Sequence, residues 1–359
     1  MNETQSATPP VKVAVVGLGW VASHRHLPVM TRDARFEVVG VVDPRAERAR
    51  EVAGKFGIKR SAVTDDLAKV PWLDEVEAIT ISTNPFLHYP LAKAALEAGK
   101  HVLTEKPFVM EVAQGRELVE LAQERGRILS IVHNFQFADS FLKLQRDLKR
   151  GRLGEVTSVQ AIQFSNPRRR LPVWYEQLPM GLFWDESPHL LYLLRALFGD
   201  SLELRDAFCQ RVEGRQTPDL LFAGAVGTRK GKIVPVSLQW NFVASLSEWQ
   251  FAVFGTRRSA WVDIFRDIYI SLPNDGLHTT KTVARTSLCA AAQHFGQHLG
   301  RGAKHLRGEL FYGNEEVFGR FADAVRSGQA PRAIGARDAL ATLELQHELI
   351  ERATRSSSL

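Results

Sequence analysis

Gly99-Lys-His-Val-Leu-Thr-Glu-Lys-Pro107 is the stretch on which the fold turns. It reads as a short buried strand, His101–Thr104, entered from a glycine turn and stopped by the charged pair Glu105-Lys106. Pro107 follows, and without a backbone donor it cannot continue a ladder. A parallel strand that ends this way puts Lys106 at the carboxyl edge of its sheet, where open α/β sheets bind ligands. The expectation is that the half of the chain before Lys106 and the half after it both converge on this residue. The plain alternative is a surface lysine paired with Glu105.

Upstream, Val11–Val16 is an apolar run broken only by Lys12, as a strand buried on both faces should be. It leads into Gly17-Leu18-Gly19-Trp20-Val21-Ala22. The two glycines permit a tight turn and close approach to a pyrophosphate, and Ala22 lets the next helix sit close to the sheet. Pro28 should kink or restart that helix near His26–Pro28. A second apolar strand, Phe36–Val42, ends on Asp43, placed as the acid that receives a ribose. Helix Arg45–Phe56 with Gly57 as cap, strand Val76–Ser82, helix Phe86–Ala98, the opening strand, helix Val112–Arg125 and strand Ile128–His133 continue the alternation. Strands alternating with helices predict a parallel, doubly wound sheet.

After residue 134 the pattern changes. Helix Phe141–Lys149, strand Glu155–Phe164 and a loop Ser165–Met180 rich in Arg, Pro and aromatics lead to an apolar helix, Glu186–Leu197, closed by Gly199. From Leu202 to Leu272 the chain is mostly strand-like, with hairpin turns at Arg229-Lys230-Gly231 and near Gly255, which predicts an open, mostly antiparallel sheet. Helices Glu315–Arg326 and Ala336–Ala353 and a frayed tail, Arg355–Leu359, complete the chain. The fold class is therefore α/β: residues 1–133 as a Rossmann dinucleotide-binding domain, and residues 134–359 as an α+β domain for substrate binding and oligomerisation.

Composition sets outer bounds. The 359 residues are 45% hydrophobic and 24% charged, with a formal net charge of +6, which suits a globular two-domain chain and favours anionic small molecules as partners. No zinc-finger, basic-zipper or RNA-recognition pattern accompanies the basic bias, so no nucleic-acid partner is expected. Two distant cysteines, Cys209 and Cys289, offer neither a disulfide framework nor a metal site and point to a reducing, cytoplasmic setting. Met1–Pro10 is polar and lacks the apolar core of a secretory signal, so a disordered segment is expected there. No apolar run is long enough for a transmembrane segment.

Four segments together resemble the Gfo/Idh/MocA family of oxidoreductases: Gly17–Ala22, Asp43-Pro44, Ala94–Val102 running into Glu105-Lys106-Pro107, and Asp185-Glu186-Ser187-Pro188-His189. The resemblance implies NAD or NADP as cofactor, a sugar, polyol or nucleotide-sugar substrate, and a homo-oligomer formed through the second domain's open sheet. It implies that Gly17, Gly19, Trp20, Val21, Ala22, Asp43, Thr83, Asn84, Glu105 and Lys106 bind the cofactor, with His88 structural. It assigns Lys106 to the reacting oxygen, His189 to acid–base work and Asp185 to orientation. Three features depart from the family pattern. Ser187 and Tyr192 stand where the family has Gly and Asp, Asn134-Phe135-Gln136 replaces a segment that often carries Arg, and Gly276–Tyr312 is long.

The residues themselves fit that chemistry. Asp185 and His189, four apart, share a helical face. Pro188 is tolerated in a first turn, so the helix should begin near Asp185 or Ser187, with His189 close to its positive end in the neutral form a base requires. The Lys106-Pro107 bond is a candidate cis peptide. Arg168, Arg169, Trp174 and Tyr175, with Asn134, are candidate substrate contacts, the arginines for an anion and the aromatics for stacking, against the alternative of a solvated loop. Asp43 favours NAD, while Arg45 leaves room for NADP. Helical periodicity is expected within Lys281–Arg307, with Leu288–Ala292 and Phe295 on an apolar stripe and Arg285, Arg301, Lys304, Arg307, His294, His298 and His305 on a basic side. The alternatives there are a subunit contact, an anionic membrane surface or a mobile insertion, and no metal is expected. An aldose–aldose oxidoreductase with tightly held NADP and a non-catalytic cofactor-sensing regulator remain alternatives to a simple dehydrogenase.

Overall fold

The structure is a computed structural model that describes residues 9–356. The expectations for the leading polar segment through residue 8 and for residues 357–359 lie outside the described residues.

The N-terminal half alternates strand and helix. In order it has β1 (Val11–Val16), a π-helical turn (Ala22–His26) running into α1 (Leu27–Met30), β2 (Phe36–Val42), α2 (Ala46–Phe56), β3 (Arg60–Ala62) and β4 (Ala78–Ile81). Then come α3 (His88–Glu97), β5 (His101–Thr104), α4 (Val112–Glu124) and β6 (Leu129–Ile131). The six strands form a sheet of order β3-β2-β1-β4-β5-β6, and every pair is parallel. The order reverses between β1 and β4, so the crevice of the fold opens at their carboxyl ends. Pro28 sits at the start of α1, where its missing donor costs no helical bond. The three-residue edge strand β3 has no counterpart among the sequence expectations, because it is too short to show a period.

The second half begins with α5 (Asp139–Lys149), β7 (Val156–Phe164) and α6 (Leu182–Phe198). The strands β8 (Glu203–Gln210), β9 (Leu220–Arg229), β10 (Lys232–Asn241), β11 (Glu248–Gly255), β12 (Arg258–Asp263) and β13 (Ile268–Pro273) follow, then α7 (Thr280–Leu306). The sheet order is β13-β12-β11-β7-β10-β9-β8. Only β7 and β10 pair in parallel. The β9–β10 hairpin turns on Lys230 and Gly231, whose φ angles of 50° and 75° are those of a type I′ turn. α6 supplies Phe183, Leu190, Leu191, Leu193 and Leu194 to the core of this unit.

The chain closes with α8 (Asn314–Ser327) and α9 (Ala336–Ser356). Arg355, expected in a frayed tail, is therefore helical. Two compact units result: the chain through His133 with Asn314–Leu343, and Asn134–Gly313 with the chain from Glu344 onward. Residues 314–343 thus depart from the expected two-piece division. Aromatic packing and an ion pair hold them there: Phe318 of α8 packs edge-on against His26 at 5.0 Å and Phe36 at 6.0 Å, and Arg326 bonds Glu77 at 2.9 Å.

The start of α6 also differs from expectation. The helix begins at Leu182 after Gly181, so Pro188 lies inside it rather than in its first turn. A proline there leaves the carbonyl of Trp184, four residues back, without a helical donor. Gln346 of α9 replaces that donor: its Nε2 bonds Trp184 O at 2.7 Å and Ser187 Oγ at 3.0 Å. Replacing Gln346 by Ala should destabilise the protein by about 1–3 kcal/mol, the cost of an unsatisfied buried carbonyl. Pro188→Ala, which restores the backbone N–H, should recover much of that loss in the double variant. Thermal unfolding of the wild type, two single variants and the double variant measures the coupling; additive losses would show that the two residues act separately.

Candidate active site

The dinucleotide turn is built by close backbone approach. Gly17 follows β1 with φ of +82°, and a Cβ there would lie 2.6 Å from Thr83 Cγ2 and 2.8 Å from Ser82 O. Only glycine meets both demands. Gly19 is the opposite case: a Cβ would meet nothing within 4 Å, so the protein itself does not require glycine at this position. The open space beside it suits a pyrophosphate at the following helical turn. Trp20 stacks on His24 with ring centres 4.9 Å apart, Val21 is half-buried, and Ala22 is fully buried against the sheet.

Asp43 ends β2 and is 2% exposed. Leu18 N–H donates to its Oδ2 at 2.9 Å, and Arg45 donates to Oδ1 from both its backbone N–H and its Nε at 3.0 Å. Burial works against the charge of this carboxylate, but the Arg45 and Leu18 bonds outweigh it and hold its pKa below the ordinary value. Asp43 thus braces the glycine turn as well as standing at the end of β2.

The corner after β5 is equally braced. The Lys106–Pro107 peptide is cis. His26 Nε2 lies 2.8 Å from Glu105 Oε1, and Lys106 N–H donates to Glu105 Oε2 at 3.0 Å. Burial opposes ionisation of Glu105, and its bond to His26 with the nearby Lys106 charge more than compensates, so its pKa lies below the ordinary value. His88 is 1% exposed, and its Nδ1 donates to Pro107 O at 2.8 Å while Nε2 lies 3.3 Å from Thr83 O. Burial lowers the pKa of this ring. His88 therefore ties the Thr83-Asn84 turn to the Lys106 corner. Asn84 Oδ1 is buried there with no hydrogen-bond partner. That orphaned acceptor and the open space at Gly19 are what a bound dinucleotide would fill, so the residues present fit the cofactor.

In the second unit, Asp185 lies in the first turn of α6 and His189 one turn on, 9% and 6% exposed. His189 is the eighth residue of the helix, beyond the reach of the terminal dipole expected to act on it. What holds it is Tyr192: Nδ1 and the phenol oxygen are 2.9 Å apart, and the same oxygen accepts from Phe135 N–H at 3.1 Å. Phe135 and Trp249 wall the ring, each with its centre 4.9 Å away.

The candidate substrate residues are placed unevenly. Arg169 is committed to the buried carboxylate of Glu186, which also accepts from Gln163 Nε2 at 3.0 Å and Ser165 Oγ at 2.8 Å. Arg169 is therefore the anchor of its loop rather than an exposed anion clamp, a role sequence reasoning missed although Glu186 stood beside Asp185. Arg168 is exposed, Trp174 and Tyr175 are half-buried, and Tyr175 donates to Glu176 at 2.9 Å. Asn134 is buried and donates to Tyr312 O at 3.1 Å. His26 and Gln346 carried no sequence signal at all, since their partners lie far away in the chain.

A Rossmann sheet with a glycine turn, open space at Gly19 and an acid at the end of β2, joined in one chain to an α+β unit with an Asp/His helix, defines an NAD(P)-dependent oxidoreductase. The profile of the oxidoreductase family with an NAD-binding Rossmann fold matches residues 11–133, and that of the GFO/IDH/MocA C-terminal domain matches residues 141–261. The chain belongs to the Gfo/Idh/MocA oxidoreductase family. It is 30% identical over 254 residues to the uncharacterized oxidoreductase YdgJ of Escherichia coli, covering 69% of this chain and 70% of that one. It is 30% identical over 198 residues to the dTDP-3,4-didehydro-2,6-dideoxy-alpha-D-glucose 3-reductase of Streptomyces violaceoruber, covering 55% and 57%. Its fold is similar to that of KijD10, a 3-ketoreductase from Actinomadura kijaniata solved with NADP and TDP-benzene, with TM-score 0.73, 22% identity and coverage of 96% and 98%.

The two glycines should separate in experiment. Gly19→Ala should keep the wild-type melting temperature but bind NADH roughly tenfold or more weakly, whereas Gly17→Ala should lower both. Fluorescence titration with NADH and thermal melting check this; unchanged NADH affinity in Gly19→Ala would remove the pyrophosphate from that space.

Proposed function

We propose that this protein transfers a hydride between NAD(P) and a ring hydroxyl or carbonyl of a sugar, polyol or nucleotide-sugar. The observation that carries the reading is the arrangement on α6: a buried Asp185, a buried His189 one turn later, and Tyr192 bonded to His189 Nδ1. When bound, the nicotinamide supplies the hydride acceptor in the oxidation direction and the donor in reverse. Tyr192 accepts from Phe135 N–H, and base catalysis requires the tautomer in which His189 Nδ1 also donates to that oxygen at 2.9 Å, with Nε2 as the basic atom. His189 Nε2 then takes the proton of the hydroxyl being oxidised, or returns it to the oxygen of a carbonyl being reduced. Lys106, at the carboxyl end of β5, donates a hydrogen bond to the reacting oxygen. Asp185 orients the substrate or the imidazole. Arg168, Trp174 and Tyr175 are the contacts for the remainder of the substrate.

NAD is the preferred cofactor in this reading, because the Asp43 carboxylate stays ionised at the end of β2 and repels a 2′-phosphate. Arg45 is already engaged by Asp43. Steady-state kinetics with both cofactors test this, and a clear preference for NADP would overturn it. A homo-oligomer through the open sheet is supported by the cross-strand pair Phe208 and Phe222, 52% and 40% exposed. A cytoplasmic setting is supported by Cys209 and Cys289, which are both free thiols.

Lys106→Ala and His189→Ala should each retain NADH binding and lower turnover by roughly two to four orders of magnitude. Tyr192→Phe should lower kcat more than it changes KM, as expected for a residue that positions His189. A turnover screen of polyols, aldoses and nucleotide-sugars with both cofactors supplies the substrate. Full activity in either alanine variant would remove that residue from the mechanism, and an effect on substrate affinity alone would reduce it to a binding contact.

A further inference from the structure

Helix α7 is built inside out. Its side toward the protein is polar. Gln293 receives Ser271 N–H at 3.0 Å and donates to Ser271 O at 3.2 Å. Gln297 receives Tyr269 N–H at 3.1 Å and donates to Tyr269 O at 2.6 Å. Each side-chain amide reproduces the donor and acceptor of one peptide of a neighbouring strand. The match is geometric: residues two apart on a strand are separated by about 6.7 Å and residues four apart on a helix by about 6 Å. Lys143 donates to Gln297 Oε1 at 2.9 Å, and Arg301 pairs with Asp139 and lies 3.5 Å from Asp267. β13 is the last strand of its sheet, so α7 lies along the sheet edge and closes it with polar atoms.

The opposite side of α7 is apolar and exposed. Leu288, Phe295, Leu299 and Leu306 are 72%, 64%, 61% and 89% exposed. At about 100° per residue these four fall within an arc of roughly 40°. Ala284 and Ala292 widen the stripe, and Leu277, 93% exposed, precedes it. Soluble helices bury such a stripe and turn the polar face outward; α7 does the reverse. Its 27 residues contain Lys281, Arg285, Arg301 and Lys304, and no Asp or Glu. Arg301 is offset by Asp139 and Asp267, but no acid on the helix offsets Lys281 and Arg285, so pairing this stripe side by side with the same helix of a second copy would bring like charges together. An anionic surface is the complementary partner. Lys281 lies in line with the stripe at its N-terminal end and Arg285 beside it, where long stems can lie along the apolar surface while their charges reach outward.

We propose that α7 lies in the headgroup layer of an anionic phospholipid bilayer, with Leu288, Phe295, Leu299 and Leu306 inserted at the acyl boundary and Lys281 and Arg285 on lipid phosphates. The helix rests on the surface and does not cross it: among the described residues no helix is long and apolar enough to span a membrane. This is independent of the catalytic reading.

Flotation of the full-length protein with vesicles tests it. The wild type should float with vesicles of phosphatidylcholine and phosphatidylglycerol, not with phosphatidylcholine alone, and less at high salt. Phe295→Asp with Leu299→Asp, and separately Lys281→Glu with Arg285→Glu, should each cut binding by roughly tenfold or more, with NADH binding intact. Leu288→Ala with Phe295→Ala and Leu299→Ala should act in the same direction without introducing charge, which guards against misfolding of the aspartate variant. The proposal is overturned if the wild type does not float with the anionic vesicles, or if it floats as well after the stripe is altered. Loss of oligomer mass by light scattering in the stripe variants, with no vesicle binding by the wild type, would also overturn it and assign the stripe to a second copy.

Discussion

The missing hydrogen of Pro188 is the constraint around which the second unit is arranged. A proline in mid-helix frees the Trp184 carbonyl inside a core where no water can reach it, and the helix survives because Gln346 donates in its place. The same amide reaches Ser187, the residue that stands where the family pattern has glycine. α6 can therefore extend back to Leu182 and carry Asp185, Glu186, His189 and Tyr192 on one rigid, almost wholly buried element. Each side chain then has a distinct task. Glu186 anchors the arginine-rich loop through Arg169, and Tyr192 joins His189 to the backbone of Phe135.

The first unit relies on a related device, the buried carboxylate used as a brace. Asp43 gathers the N–H groups of Leu18 and Arg45, and Glu105 gathers His26 and the N–H of Lys106. Both sit where a strand ends and the chain must turn sharply. Burial alone would raise their pKa values, and the hydrogen bonds hold them below the ordinary range. The effect is to fix the two corners of the sheet between which the crevice lies, while Gly17 lets β1 approach the Ser82-Thr83 turn closely.

Edges are treated as carefully as cores. The outer strand β13 would expose unpaired peptide groups, a standing risk of edge-to-edge pairing. α7 covers them with two glutamines rather than with another strand, and in doing so it must turn its polar face inward. The exposed apolar stripe follows directly from that choice of face.

The sequence by itself determined the strands β1, β2 and β5 to the residue, the alternation that makes the first sheet parallel, the antiparallel hairpins of the second, and the presence of helix within Lys281–Arg307, though not that it fills nearly all of that segment. These features are written in local periodicity and in glycine and proline punctuation, which act over a few residues. The glycine turn and the placing of Asp185 and His189 one turn apart on a helix were legible for the same reason. Tertiary structure alone decided where α6 begins, that Arg169 is held by Glu186, that residues 314–343 pack with the first unit, and which face of α7 is turned outward. Each of these depends on a partner distant in the chain: Gln346 for Trp184, Glu186 for Arg169, Phe36 for Phe318, Tyr269 for Gln297. A buried polar group must be satisfied wherever a partner can be found, and local pattern carries no record of which distant residue the fold will bring to it.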